Sequence, residues 1–165
     1  MTASGEACEG ATLAPDESNV EEVAKATLCL INRERSSRGE IPLSANPDLA
    51  HAAQGHSEAM SSGDYFDHVS PDGSTPLARM QAAGYLAAKG AGYEVAENIA
   101  WGSLNEATPA AIVAAWMASQ GHRENILDPR FRDSGIGVSA DLPASFAAGQ
   151  QGAIYTQDFG VILRG

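Results

Sequence analysis

Positive charge is scarce in this chain: 10 lysines and arginines stand against 21 aspartates and glutamates, a formal charge of −11. No local stripe of basic residues offsets that balance. A negative field of this size repels phosphate backbones, which excludes nucleic acid as a partner. Long apolar runs are also missing. The longest, Ala110–Ala118, has nine residues, about half of what a bilayer span needs. The N-terminus lacks the basic stretch and apolar core of a signal peptide. That leaves a cytosolic protein or a secreted one whose signal peptide has been removed. Catalytic motifs are absent as well. The nearest approach to a Gly-x-Ser-x-Gly elbow, Gly55–Ala59, lies in mid-helix and lacks the second glycine. No Cys–His nucleophile pair, phosphate-cradling loop, His-Glu-x-x-His or EF-hand loop occurs. Gly135-Ile136-Gly137-Val138-Ser139-Ala140 has the letters of a dinucleotide fingerprint, but it sits inside a strand pattern and opens no helix. It reads as a tightly packed strand, and no nucleotide cofactor is expected.

What is present describes one ordinary globular domain. The 165 residues are 44% hydrophobic and 19% charged, enough apolar material for a single core of this length. Residues 1–17 are small and polar and read as a flexible tail; the domain proper is expected over 18–165. Cys8 lies in that tail and Cys29 in an apolar helical stretch. A disulfide pinning the tail to the domain fits this placement and an oxidising compartment. One buried Cys29 beside an incidental tail thiol is the alternative.

Helices announce themselves by their starts. Ser18 followed by Glu21 is a capping-box pattern ahead of Val20, Val23, Thr27, Leu30 and Ile31 at helical spacing. Asn46-Pro47, Thr75-Pro76 and Thr108-Pro109 each put a capping side chain before a proline, whose missing N–H costs nothing at the first helical position. Gly63, Gly84 and Gly121 are the expected stops. Inward-facing residues are predicted as Leu49, Ala53, His56 and Met60 in one helix, and Ile112, Val113, Trp116 and Met117 in another. The period changes to two around Ile136–Ala140, Tyr155–Val161 and Val95–Trp101, which read as strands. Four helices and three strands predict helices packed on a small sheet.

The four histidines differ in setting. His51 falls on the outward side of its helix and reads as solvated, while His56 shares a face with Leu49 and Met60 and reads as a core histidine. His68 stands in a turn-rich segment and His122 just past the expected end of a helix, and loops on a rigid scaffold are where functional groups concentrate. Glu97 is a carboxylate among apolar residues of a strand, so burial demands a cation, a metal or a hydrogen-bond donor beside it.

The segments "FDHVSPDG", "AENIAWG", "GHRENILDPRFRDSGIGV" and "YTQDFG", in that order, resemble the marker segments of bacterial CAP (SCP-like) domains. The resemblance runs from about Val20 to Phe159 and implies a three-layer α/β/α sandwich with a small mixed central sheet. It further implies export and a cleft lined by His68, Glu97 and His122. Where animal and plant members carry a second glutamate, this chain has Ser119, which becomes a candidate ligand contact; Glu124, from the following loop, is the candidate carboxylate to replace it. Two imidazoles and one carboxylate have the composition of an open zinc or other divalent-metal site. The expected function is that of a secreted ligand-binding or interaction domain, its ligand a lipid, a sterol or a cell-surface component. The alternative is a metal-dependent hydrolase of an extracellular substrate.

Overall fold

A computed structural model describes residues 7–86 and 92–163. The first helix, α1, spans Val20–Ser36, and its start corrects the capping-box expectation. Ser18 turns back to Asp16, which accepts both its hydroxyl and its amide hydrogen. Asn19, at the cap position, also points backwards, donating to the Ala14 carbonyl and accepting from the Asp16 amide. A self-contained turn therefore ends where the helix begins. Glu21 and Glu22 in the first turn still meet the positive end of the helix dipole.

The proline-started helices form as their caps predict. They are α2 (Pro47–Gly63), α3 (Pro76–Ala83) and α4 (Pro109–Ala118), and in each the Asn46, Thr75 or Thr108 side chain accepts a first-turn amide. Each cap is worth about 1 kcal/mol. The stops fit less evenly. Gly84 takes the left-handed conformation, but after α2 it is Asp64, not Gly63, that does so. Gly121 ends nothing. Extended Ser119 breaks α4, and a second helix, α5 (Gln120–Ile126), begins at once, so His122 is helical rather than in a loop.

Four strands form one sheet: β1 (Ser44–Ala45), β2 (Gly92–Ser103), β3 (Asp133–Ser139) and β4 (Gly152–Leu163), in the order β1-β3-β4-β2. The first pair is parallel and the other two are antiparallel, giving the expected mixed sheet. The strand β1 was not foreseen, because two residues have no period to read. A 3-10 turn at Leu104–Ala107 and the short helix α6 (Ala144–Ala147) escaped for the same reason.

Alternation along β3 sorts the layers. Gly135 and Gly137 face α2 so closely that an added Cβ would run into the backbone at Ala50 and Gln54. Ile136 and Val138 point the other way, into a core with Val23 and Ile31 of α1, Trp116 of α4 and Ile126 of α5. Helix α2 thus rests on bare strand backbone, and α1, α4 and α5 cover the opposite face. Past the short β1, the Gln54 amide takes over as the edge partner of Val138, donating to its carbonyl and accepting from its N–H.

Two features tie the remaining chain down. Cys8 and Cys29 are bridged, with Cα atoms 5.8 Å apart. Residues 7–17 contain no helix or strand, but Cys8 is buried, Leu13 packs on the core and Ala110 donates to the Ala11 carbonyl. Arg35, fully buried, donates to the carbonyls of Ile41, Ile126, Asp128 and Phe131 and so organises the turn between α5 and β3.

Candidate functional site

Glu97 lies in the middle of β2, which is an edge strand. Alternation sends its side chain to the α2 face and its neighbour Asn98 to the α5 face. The contacts agree: Glu97 lies 3.8 Å from His56 of α2, while Asn98 donates to the His122 carbonyl of α5. Asn125 completes the second contact by donating to the Asn98 side-chain oxygen. The two expected histidines therefore reach the cleft from different layers, on either side of one strand.

Two donors converge on Glu97, and a second buried carboxyl group faces it. His68 Nδ1 lies 2.9 Å from Oε1, and because a carboxylate only accepts, that nitrogen carries the hydrogen. The Arg79 guanidinium spans both oxygens at 3.2 Å. Asp158 sits directly opposite in the β2–β4 register, buried, and neither of its carboxyl oxygens has a hydrogen-bond partner among the described residues. Burial favours a neutral Asp158, and the adjacent Glu97 charge adds to that, so its acidity falls well below that of an ordinary aspartic acid. Asp158 is thus a neutral carboxylic acid facing a carboxylate. Burial alone would raise the Glu97 pKa, but the hydrogen bond from His68, with the Arg79 charge, outweighs it and holds the group below the usual glutamate value.

Arg79 also fixes the loop that presents His68. It donates to the His68 and Ser74 carbonyls and to the Ser70 hydroxyl, drawing residues 68–74 over Glu97. The imidazole of His68 remains 46% exposed, so Nε2 is its open edge. The hydrogen bond to Glu97 raises the His68 pKa above the ordinary value. His122 is half-buried, its Nδ1 lies 2.8 Å from Ser119 Oγ, and burial together with the His68 charge lowers its pKa.

The other residues singled out from sequence fall as follows. His51 is exposed, as expected. His56 is fully buried, but it is more than packing. Its Nε2 donates to the Asp67 carbonyl beside Glu97, its Nδ1 has no partner among the described residues, and burial keeps it neutral. Glu124 accepts from Gln120 on the surface of α5 and takes no part in the cleft. Two members of the cluster were missed, Arg79 and Asp158. Asp158 carried the same signal as Glu97, a lone carboxylate in an apolar strand. Nothing local marks Arg79, whose role comes from the fold of the loop.

These side chains do not fit the three-donor metal site that their types allow. Both oxygens of Glu97 are occupied by His68 and Arg79, and its side chain is 1% exposed. Among the described residues no set of three His, Cys, Asp or Glu side chains is arranged to hold a metal ion. A carboxylate held below its usual pKa by the His68 hydrogen bond and the Arg79 charge is also a poor general base. What the arrangement offers is an anchored polar rim, with the His68 ring edge open to solvent and the His122–Ser119 pair across the strand.

The fold and the cleft define an α/β/α domain whose histidines flank a buried glutamate on an edge strand. Residues 28–159 match the cysteine-rich secretory protein family, CAP, and the chain belongs to that family. It is 37% identical over 157 residues to the uncharacterised protein YkwD of Bacillus subtilis, covering 95% of this chain and 53% of that protein. The chain thus spans about half the length of this relative. Among solved structures, an extracellular protein containing an SCP domain from Bacillus anthracis aligns with TM-score 0.63 and 27% identity, over 90% of this chain and 41% of that one. An outer surface protein from Borrelia burgdorferi aligns with TM-score 0.70 over 90% and 97% of the two chains; at 17% identity it speaks to fold alone. No helix among the described residues is long and apolar enough to cross a membrane.

Proposed function

We propose that this domain is an exported binding module whose cleft, at His68, His122 and Ser119, takes a polar group of an extracellular ligand without breaking a bond. Glu97 is the internal anchor of that cleft. The observation that carries the reading is the occupation of Glu97: His68 and Arg79 donate to its two buried oxygens, which leaves it neither a free metal ligand nor a free base. Export is supported by the Cys8–Cys29 disulfide and by similarity to a protein described as extracellular. A lipid, a sterol or a cell-surface component is the ligand class to try first, because the exposed His68 edge borders apolar surface at Phe66 and Val69.

The test uses protein labelled with 15N in its histidines, titrated separately with palmitate, a sterol and soluble peptidoglycan fragments. The reading expects at least one of these to shift the ring signals of both His68 and His122 saturably. The shifts should vanish in His68→Ala, and the ligand should be recovered intact by mass spectrometry. Silence across all three, or recovery of a cleaved ligand, would overturn it.

A further inference from the structure

A second surface lies on the same face of the sheet. Glu97, Ile99 and Trp101 alternate onto one side of β2, which puts Trp101 roughly 13 Å along the strand from the cleft. There the rings of Trp101 and Phe146 have centroids 5.4 Å apart and tilted at 54°, and Phe66 meets Phe146 edge-on at 6.3 Å. Phe66 is 41% and Trp101 39% exposed. Phe146 packs on the small core of Met60, Ile99 and Ile154, and Phe66 and Trp101 flank it facing solvent.

Charge around this patch has one sign. Asp67 follows Phe66, Asp64 accepts the hydroxyl of Ser145 beside Phe146, and Asp141 precedes Leu142, which packs on the same small core. All three carboxylates are exposed. Among the described residues of 39–122 and 133–163, Arg79 is the only lysine or arginine, and it is engaged by Glu97. The other described cations lie on α1 and around α5 and the start of β3. Polyanions and anionic membranes are repelled by such a patch, whereas a cation gains both from the carboxylates and from the ring faces.

We propose that the Phe66–Phe146–Trp101 patch docks a basic segment of a partner polypeptide, with a lysine or arginine lodged over the rings and an apolar neighbour against Phe66. The rings splay along the surface rather than enclosing one cation, and three separated carboxylates match several positive charges spaced along a chain. This surface meets the border of the histidine cleft at Phe66, but Trp101 and Phe146 lie away from it, and a test read at Trp101 does not depend on the cleft reading.

The probe is a synthetic peptide alternating lysine with leucine, compared with its glutamate-for-lysine and glycine-for-leucine versions. Binding is read by anisotropy of a dye on the peptide and by tryptophan emission. Trp116 is 1% exposed, so emission changes report on Trp101. The lysine–leucine peptide should bind saturably, more weakly as salt rises, and far better than either comparison peptide. Trp101→Ala and Phe66→Ala should each weaken it about tenfold. The combined Asp64→Asn, Asp67→Asn and Asp141→Asn variant should do the same with the rings intact, since asparagine keeps the acceptors that hold those turns. Ile41→Ala and Tyr93→Ala, exposed apolar residues elsewhere, should bind like the wild type. Absence of saturable binding, equal binding of the glutamate peptide, insensitivity to both variant sets, or displacement by free choline would each overturn the proposal.

Discussion

Replacing Glu97 with glutamine is the perturbation with the widest reach, because three side chains take their charge state or position from it. Glutamine keeps one oxygen for the His68 hydrogen but removes the charge that faces Arg79. Breaking a buried ion pair typically costs 3–5 kcal/mol. Arg79 would still hold Ser70, Ser74 and the His68 carbonyl, which draws the expectation to the lower end, about 3 kcal/mol. For a domain of this size each kcal/mol moves the melting point by roughly 3 °C, so Glu97→Gln should melt about 9 °C lower. The loss should depend on pH. The folded pKa of Glu97 is depressed, so its contribution is present above the ordinary value of 4.5 and is lost as pH falls below it. The folded pKa of His68 is raised, so its share is full below the ordinary 6.5 and is lost as pH rises through the higher folded value. The gap between wild type and variant should therefore be widest between pH 4.5 and 6.5. Thermal melts by circular dichroism at about pH 3, 5.5 and 8 decide it. A difference within about 1 °C at pH 5.5, or one as large at pH 3, would refute the view of Glu97 as the ionised centre of the site.

Three further outcomes follow from the packing. Reducing Cys8–Cys29, which closes a separation of 21 residues, should cost roughly 3 kcal/mol by loop entropy, seen as a lower urea midpoint; an unchanged midpoint would show residues 7–17 to be idle. Gly137→Ala puts a methyl group into the Gln54 backbone, so the variant should lose about 3 kcal/mol or more, and a stable, soluble variant would contradict the contact between α2 and β3. Arg35→Met leaves four carbonyls without their donor and should cost about 3–5 kcal/mol in denaturant titration, with amide exchange rising first across 126–131.

The fold was legible where chemistry is local. A capping side chain before proline marks a helix start whatever the tertiary context, and α2, α3 and α4 begin there. Gly135 and Gly137 betrayed a strand packed against backbone, which a dinucleotide loop would not be. Competition between neighbours was not legible: Ser18 had a capping box on offer and Asp16 closer at hand. Extended Ser119 likewise splits α4 from α5, where Gly121 suggested an end. At the site, His68, Glu97 and His122 stood out through their segments, and Glu97 announced a need for partners. Which partners it found depends on the β2–β4 register for Asp158 and on a folded loop for Arg79. Both are long-range facts, and they decide what surrounds the Glu97 carboxylate.

The histidine rings themselves report on that anchor most directly. A 15N NMR titration of ring nitrogens from pH 4 to 9 reads both the protonated atom and the pKa of each histidine. The prediction is that His68 holds hydrogen on Nδ1 and titrates above the ordinary 6.5, and that His122 and His56 both titrate below it. A His68 that titrates below 6.5, or that bares Nδ1 in its neutral form, would mean that Glu97 does not hold it and would contradict the account of the cleft.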